Sequence, residues 1–198
     1  MRIVEILRRS FAAGALIGMG CIVYLRVGGL AGAILFSAGL FYIIANNALL
    51  FTGKCTDRTF TIDEKFFMLV GNFLGVTLLC ELATFAIPSL TETAQELFMG
   101  QEVAYIPETF IDYGIKGMLC GICMWLATNL NGDDSGLTRF PKIIYGVVLF
   151  IMSGYTHSIA LQGYLAMAGS SACFVIPTFV AVANWIGSRT IKFLVDGD

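Results

Sequence analysis

Six apolar segments, separated by shorter polar or charged stretches, organise this chain. They lie at about 10–25, 28–51, 65–88, 108–131, 141–162 and 172–194. A membrane-spanning helix needs about 20 mainly apolar residues to cross a hydrocarbon core of about 30 Å. Only the first segment is short for that task, and basic residues at its ends can reach the interface. The pattern therefore predicts an all-α membrane protein with six transmembrane helices.

The second segment is too long for a straight span. No charged residue lies between Arg26 and Lys54, and at 1.5 Å per residue an ideal helix there would measure about 40 Å. The helix must therefore tilt, protrude or break. Breaks are expected in the second and fifth segments, at the small and polar patches Leu50-Phe51-Thr52-Gly53 and Ser153-Gly154-Tyr155-Thr156-His157. Non-helical backbone at membrane depth is tolerated where it lines a cavity or is buried in protein.

The two halves of the chain resemble each other. Val70-Gly71-Asn72-Phe73-Leu74-Gly75 in the third segment matches Val182-Ala183-Asn184-Trp185-Ile186-Gly187 in the sixth. Three spans per half is an odd number, so the second half must enter the membrane from the opposite side. The pattern predicts a single domain over 1–198, built from two inverted three-helix repeats at about 10–88 and 108–194. Transporters of that plan hold their site between the repeats, near mid-membrane.

Composition and charge support this membrane assignment. The chain is 57% hydrophobic and 13% charged, whereas soluble domains average about 25% charged residues. Lysine and arginine favour cytoplasmic loops, and here they cluster before the first segment, in the second and fourth loops, and after the sixth segment. The opposite side has Arg26 and an acidic stretch at 92–108. We therefore expect both termini in the cytoplasm. The net charge of −2, without a basic block, gives no indication of nucleic acid binding.

The cysteines do not indicate a metal or redox centre. All six are scattered, mostly in apolar segments, which is typical of packing rather than of a disulfide framework. Cys120 and Cys123 form a CxxC motif, but no second pair or nearby histidine completes a zinc site. No nucleophile–base pair is visible either. We expect no metal, no cofactor and no enzymatic activity.

The only histidine, His157, lies in an uncharged stretch from Ile143 to Ser188. A titratable group at such depth is costly and typical of a transport pathway. Neutral imidazole donates and accepts hydrogen bonds, and the protonated ring can pair with an anion. The alternative is a neutral histidine bound to a backbone carbonyl. Thr52 is the companion candidate, and its alternatives are a hydrogen bond to its own helix or a plain helix end.

Short motifs along nearly the whole chain resemble those of the formate/nitrite transporter family. They are Ala13-Gly14-Ala15-Leu16-Ile17-Gly18, Phe36-Ser37-Ala38-Gly39-Leu40, Leu50-Phe51-Thr52-Gly53, Gly71-Asn72, Phe110-Ile111-Asp112, Gly117-Met118-Leu119-Cys120, Ser153-Gly154-Tyr155-Thr156-His157-Ser158-Ile159-Ala160, Ile176-Pro177 and Asn184. The resemblance implies an aquaporin-like fold and a homopentamer with one pore per protomer, and a place in a bacterial inner membrane. It implies formate, nitrite, hydrosulfide or lactate as substrates.

The same resemblance implies roles for individual residues. His157 would be the central protonatable group with Thr52 beside it, and Asn72 and Asn184 would be polar groups beside the broken helices. Apolar rings, which dewet and exclude bare ions, would lie on either side. The cytoplasmic ring would be Phe36, Leu40 and Phe150, and the outer ring would be Leu50, Phe51 and Met124.

Three positions depart from the family pattern. Thr156 stands where the family often has glutamate, and Gly121 stands where it often has asparagine. The family's lysine on the outer approach falls near Tyr105, where this chain has none. Lys116 is the candidate to attract anions instead. Its alternatives are to snorkel to the interface or to pair with Asp112 one turn away.

We predict a passive or proton-coupled channel for a small weak-acid anion. The anion is drawn in by Lys116 and helix-end dipoles, meets His157 and Thr52, and is paired or protonated there. The proton is thus a second partner, and the lipid bilayer is the third. Two alternatives stay open. One is a pore for a neutral solute such as water, although the Asn-Pro-Ala signature of aquaporins is absent. The other is a membrane scaffold or small membrane enzyme.

Overall fold

In a computed structural model, residues 2–98, 107–129 and 136–197 are described, and they form helices without a strand among them. The long helices are α1 (Arg2–Val27), α4 (Ile62–Ala86), α6 (Pro107–Thr128) and α9 (Val175–Asp196). The shorter ones are α2 (Gly29–Ala45), α3 (Phe51–Lys54), α5 (Ser89–Phe98), α7 (Gly136–Met152) and α8 (Ser158–Ala168). In this part of the chain α1, α4 and α6 are long and apolar enough to cross a membrane.

The second and fifth predicted spans are both interrupted. The second breaks over 46–50, between α2 and α3, so the prediction that it would break at 50–53 is wrong by about one turn. Asn47 explains the earlier site, because it adopts a φ of 51°, which asparagine tolerates better than most residues. The fifth breaks over 153–157, between α7 and α8, at the predicted patch. There Gly154 has a φ of 70°.

The two breaks have equivalent patterns of backbone hydrogen bonds. In the first, the amide of Ala48 donates to the carbonyl of Ile43 at 2.9 Å, and in the second Tyr155 donates to Phe150 at 2.9 Å. The next amide along, from Leu49 or Thr156, donates at 3.3 Å to a carbonyl of α1 or α6. Those carbonyls belong to Arg9 and Lys116. The backbone thus makes Arg9 the counterpart of Lys116, and Leu50 the counterpart of His157.

Other differences from the predicted segments lie at helix ends. Helix α1 begins well before residue 10, because Arg2 pairs with Glu64 at 2.5 Å and also donates to the carbonyl of Thr59. Helix α5 lies in the acidic stretch where only a loop was expected. It is held by Gln95, which donates to the carbonyl of Ala168. Tyr105, the position of the missing lysine, lies outside the described residues.

Two pairs of helices cross with their backbones in contact. A Cβ atom built on Gly14 of α1 would overlap the carbonyl of Asn72 on α4, and one on Gly121 of α6 would overlap the carbonyl of Asn184 on α9. Small residues allow this close approach between helices in lipid. Gly121, which departs from the family pattern, therefore takes the place in α6 that Gly14 takes in α1. Each of these contacts places an asparagine, Asn72 or Asn184, beside one of the two breaks.

Candidate functional site

Asn72 supports the first break. Its Oδ1 accepts the amide of Phe51, the first residue of α3, at 2.8 Å. Its Nδ2 donates to the carbonyls of Ser10 and Leu49, each at 2.8 Å. The side chain is fully buried, so these bonds satisfy its polar atoms together with backbone groups that the break leaves unpaired.

Asn184 makes the same set of bonds at the second break. Its Oδ1 accepts the amide of Ser158, the first residue of α8, at 3.0 Å. Its Nδ2 donates to the carbonyls of Gly117 at 2.7 Å and Thr156 at 3.0 Å. Both asparagines therefore lie beside the broken helices, and their side-chain bonds go to backbone groups.

His157 is the N-cap residue of α8. Its Nδ1 accepts the amide of Ala160 at 3.2 Å, so that nitrogen carries no proton. The proton of the neutral ring is therefore on Nε2, which lies 2.8 Å from Oγ1 of Thr52. The ring also stacks on Phe150, with centroids 5.5 Å apart and planes at 22°. The structure thus joins the two central residues that the sequence singled out.

This arrangement determines which hydrogen of the Thr52–His157 pair remains available to bind an anion. The oxygen of Thr52 accepts a hydrogen bond from Nε2–H and retains its own hydroxyl hydrogen, because a hydroxyl is both donor and acceptor. The pair can therefore present an O–H donor to an anion. Protonating the ring would place a hydrogen on Nδ1 and break the bond from Ala160.

A cavity of about 220 Å³ reaches His157 from one side. We call it the Lys116 cavity. Inside it, Lys116 Nζ lies 2.7 Å from a carboxylate oxygen of Asp112. Pairing with Asp112 was one of the two alternatives that the sequence left open for Lys116. Its lining residues include tyrosines from three helices, and Thr156 at the break. Those that matter here are Tyr24, Asp112, Tyr113, Lys116, Phe150, Thr156, His157 and Tyr164.

A second cavity, of about 420 Å³, reaches the first break. We call it the Arg9 cavity, and Arg9, Leu40, Asn47, Leu50, Gly53, Lys54 and Asp57 are among the residues that line it. The sequence reasoning did not single out Arg9. The guanidinium bonds to the carbonyl of Asn47 and lies 3.6 Å from Glu5. The internal repeat would have identified Arg9 only if the alignment of the first predicted segment with the fourth, that is of α1 with α6, had been known.

Charges in the Arg9 cavity are largely compensated. Lys54 lies 3.5 Å from Asp57. Partial burial raises the pKa of Asp57, but hydrogen bonds from Thr59 and the charge of Lys54 outweigh it, so the pKa is lowered overall. The carboxylate therefore stays ionised at neutral pH and continues to neutralise Lys54.

The two cavities lie at opposite ends of α1 and α6. The Lys116 cavity is lined by Tyr24, late in α1, and by Asp112, early in α6. The Arg9 cavity is lined by Arg9, early in α1, and by Thr128, the last residue of α6. His157 lines the first cavity, whereas Leu50 and Gly53, which flank Phe51 and Thr52 in the chain, line the second. His157 thus faces the Lys116 cavity, and Thr52, which lines neither cavity, is buried within hydrogen-bond distance of it.

The two cavities favour a different grouping of the predicted ring residues, and the composition of each ring stays a prediction. Phe150 lines the Lys116 cavity and meets Phe36 edge to face, with centroids 6.1 Å apart. Leu40 and Leu50 line the Arg9 cavity instead. Phe36 and Phe150 thus form one apolar pair, and Leu40 and Leu50 form another. The first break ends at Leu50, which lines the Arg9 cavity.

Three predicted ring residues do not line either cavity, namely Phe36, Phe51 and Met124. Phe51 packs in a buried cluster with Ile6, Cys55 and Met68. Met124 is buried in the same core cluster as Phe36, Phe150, Leu40 and Leu50. Phe51 thus packs in a different cluster from Leu50, and its place in an apolar ring stays a prediction. Cys120 and Cys123 have free thiols, and the described residues contain no metal-ligating group of three or more side chains.

Comparisons with known proteins agree over nearly the whole chain. A family model described as "Formate/nitrite transporter" matches residues 1–194. A solved structure described as a pentameric formate channel with formate bound is 19% identical, with a TM-score of 0.77, and the match covers 98% of this chain and 95% of that one. An FNT family ion channel is 22% identical, with a TM-score of 0.76, covering 98% and 87%. No curated protein sequence matches. The structural similarities show the fold.

Proposed function

The chain belongs to the formate/nitrite transporter family, a family of membrane channels and not of enzymes, and on that basis we propose that it conducts small monovalent weak-acid anions. Formate, nitrite and hydrosulfide are the substrate class, and lactate is the larger candidate. The observation that carries this proposal is the Thr52–His157 hydrogen bond. His157 and Phe150 line the Lys116 cavity, and Leu40, Leu50 and Gly53 line the Arg9 cavity.

The central pair suits a weak acid better than a strong one. A buried anion without a partner is very costly, and here it meets the Thr52 hydroxyl and, behind it, the Nε2 proton of His157. Either the pair stabilises the anion by hydrogen bonds, or a proton joins it and the neutral acid moves on. The neutral acid crosses the apolar pairs more readily, because rings of Phe or Leu dewet and exclude charge.

The order of groups along the proposed path follows from the two cavities. An anion entering on one side meets Lys116, then Phe36 and Phe150, then the central pair. It leaves between Leu40 and Leu50 into the Arg9 cavity. We assign Asn72 and Asn184 to support of the broken helices rather than to anion contact, because all their bonds go to backbone groups.

We also propose two inverted three-helix repeats, with both termini cytoplasmic and the Lys116 cavity facing outward. The matched hydrogen bonds at the two breaks support the repeats, and the distribution of lysine and arginine supports the orientation. The proposed assembly is a homopentamer, since a structural neighbour is described as a pentameric channel. The proposed location is a bacterial inner membrane, as the family resemblance implies.

Purified protein in liposomes tests the function. We expect flux of formate, nitrite or hydrosulfide above that of empty liposomes, measured for each anion and lactate at several pH values. Osmotic swelling of the same liposomes tests the alternative of a water pore. Water flux without anion flux would support that alternative, and folded protein without either flux would support a scaffold.

Lys116 is expected to speed anion entry on its own side. In Lys116→Met the Asp112 carboxylate loses its counter-charge, so the initial rate of formate entry should fall about three- to tenfold at low salt. The loss should shrink as salt rises. Lys116→Arg should keep the rate. Arg189→Met removes the same charge from an exposed position outside both cavities and should leave it unchanged. Equal rates in Lys116→Met and wild type would contradict this role.

A further inference from the structure

A groove on the outside of the protomer contains an arginine that the proposed path does not use. It opens between the first half of α1 and the end of α2, and its volume is about 540 Å³. We call it the Arg8 groove. Residues 46–48 form the side after α2, and α1 contributes Glu5, Arg8, Arg9, Ala12, Ala15 and Leu16. Arg9 also lines the Arg9 cavity, whereas Arg8 does not.

The groove is polar at one end and apolar at the other. Glu5, Arg8 and Arg9 form the polar end, and the lining continues along the same side of α1 to Ala12, Ala15 and Leu16. Residues three or four apart are neighbours on a helix surface, so these side chains form one stripe. Ala12 is exposed, and Ala15 and Leu16 are half-buried. The apolar end is therefore open to the surroundings of the protomer.

The polar end lies at the level of the membrane surface. Arg9 is the last charged residue of α1 before Arg26, and the uncharged residues 10–25 extend over about 24 Å of helix. That length is most of a hydrocarbon core of about 30 Å. In the last turn of α2, Tyr42 is 54% exposed, and tyrosine is enriched where helices meet the interface. The groove thus runs from the level of lipid phosphates into the hydrocarbon.

The polar end has a net positive charge. Arg9 is already engaged, because it donates to the carbonyl of Asn47 and lies 3.6 Å from Glu5. Arg8 is exposed, and within the described part of the chain its side chain has no ion pair or hydrogen bond. Two arginines and one glutamate leave one positive charge, which matches the single negative charge of a phosphodiester. The guanidinium group also fits phosphate oxygens in a bidentate manner.

We propose that the Arg8 groove binds an anionic phospholipid. The phosphate contacts Arg8, with Arg9 beside it, and one acyl chain lies along Ala12, Ala15 and Leu16. A lipid fits this groove better than a soluble phosphate, because a soluble phosphate leaves the apolar end uncovered. The inference depends on the membrane assignment of the chain and goes beyond the proposed anion conduction.

Phosphatidylglycerol and phosphatidylcholine with the same acyl chains provide the central test, because only the first has a net charge. The assembled protein in neutral detergent is titrated with each lipid, and native mass spectrometry measures the bound lipid per protomer. We expect phosphatidylglycerol to bind at least about fivefold more tightly. Arg8→Gln should weaken its binding about fivefold, which is the effect of one basic residue near a lipid headgroup. High salt should reduce the preference.

Three further variants separate the groove from general surface charge. Arg189→Gln removes the same charge from an exposed position of α9 outside the groove, and its affinity should match wild type. Arg8→Lys keeps the charge and should retain most of the binding. Ala12→Trp fills the apolar end while both arginines remain, so it should weaken phosphatidylglycerol binding. Size-exclusion chromatography checks that each variant keeps the assembly of wild type.

Several outcomes would overturn the proposal. Equal binding of the two lipids, or wild-type affinity in Arg8→Gln, would show that the groove does not select an anionic lipid. Displacement of phosphatidylglycerol by an equal concentration of glycerol phosphate would make the groove a soluble phosphate site. Loss of assembly in Arg8→Gln, with lipid affinity unchanged, would make it a contact between copies of this chain. None of these measurements reads anion flux, so a negative result leaves the proposed channel in place.

Discussion

Replacing His157 with phenylalanine is expected to lower formate flux by about tenfold to a hundredfold at every pH. A hydrogen bond to a charged group contributes about 1.5–3 kcal/mol, and each 1.4 kcal/mol on the barrier is a factor of about ten in rate. The phenylalanine ring fills the same space beside Phe150 but offers no donor to Thr52 or to an anion. Stopped-flow or isotope flux in liposomes, normalised to reconstituted protein, measures the loss.

A second substitution separates the proton chemistry of His157 from its cap. Asparagine is a favourable N-cap residue, so in His157→Asn its Oδ1 can accept the amide of Ala160 as Nδ1 does now. We expect this variant to fold and to keep part of the anion flux, but without the pH dependence that a titrating ring supplies. If His157→Phe conducts formate like wild type at all pH values, the central role of the imidazole is wrong.

Replacing Asn184 with leucine is expected to destabilise the protein more than any single change along the path. The amide of Ser158 and the carbonyls of Gly117 and Thr156 would lose their partner at a buried site. At about 1 kcal/mol or more for each unpaired group, the loss is about 3 kcal/mol or more. Thermal unfolding in detergent and the yield of assembled protein measure it.

The matching residue in the first half supplies the comparison. Asn72→Leu removes three equivalent bonds and should cost a similar amount. Asn184→Asp keeps the acceptor for Ser158 but turns a carboxylate oxygen toward both carbonyls at a buried site, so its stability should be no higher than that of Asn184→Leu. Wild-type unfolding temperature and flux in Asn184→Leu would show that the break does not depend on this side chain.

Local patterns were enough to predict much of this molecule. Hydrophobic segment length predicted an all-helical chain, and the small and polar patch ending in His157 predicted the second break. The first break was misplaced because its signal is conformational. Asn47 adopts a positive φ, and an apolar run with an asparagine in it does not reveal that. Helix α5 was missed because its anchor, the Gln95 bond to Ala168, joins residues far apart in sequence.

The site was predicted less completely than the fold. Thr52 and His157 were both singled out, but the sequence could not say that they share a hydrogen bond. The sequence did not show that Leu50 and Phe51, which are neighbours in the chain, pack in different clusters. Arg9 was missed because its equivalence to Lys116 depends on backbone bonds to Leu49 and Thr156. Long-range contacts of this kind leave no local pattern.

The glycine contacts between helices limit how such a protein can open and close. At Gly14 and Gly121 the neighbouring helix passes so near that a single methyl group does not fit, and such interfaces switch between discrete packings rather than deform smoothly. Sliding α1 along α4, or α6 along α9, would drive backbone into backbone. We therefore expect opening and closing of the path to use side-chain rotamers, such as those of Phe150 and Leu40, while the α1–α4 and α6–α9 contacts keep their packing.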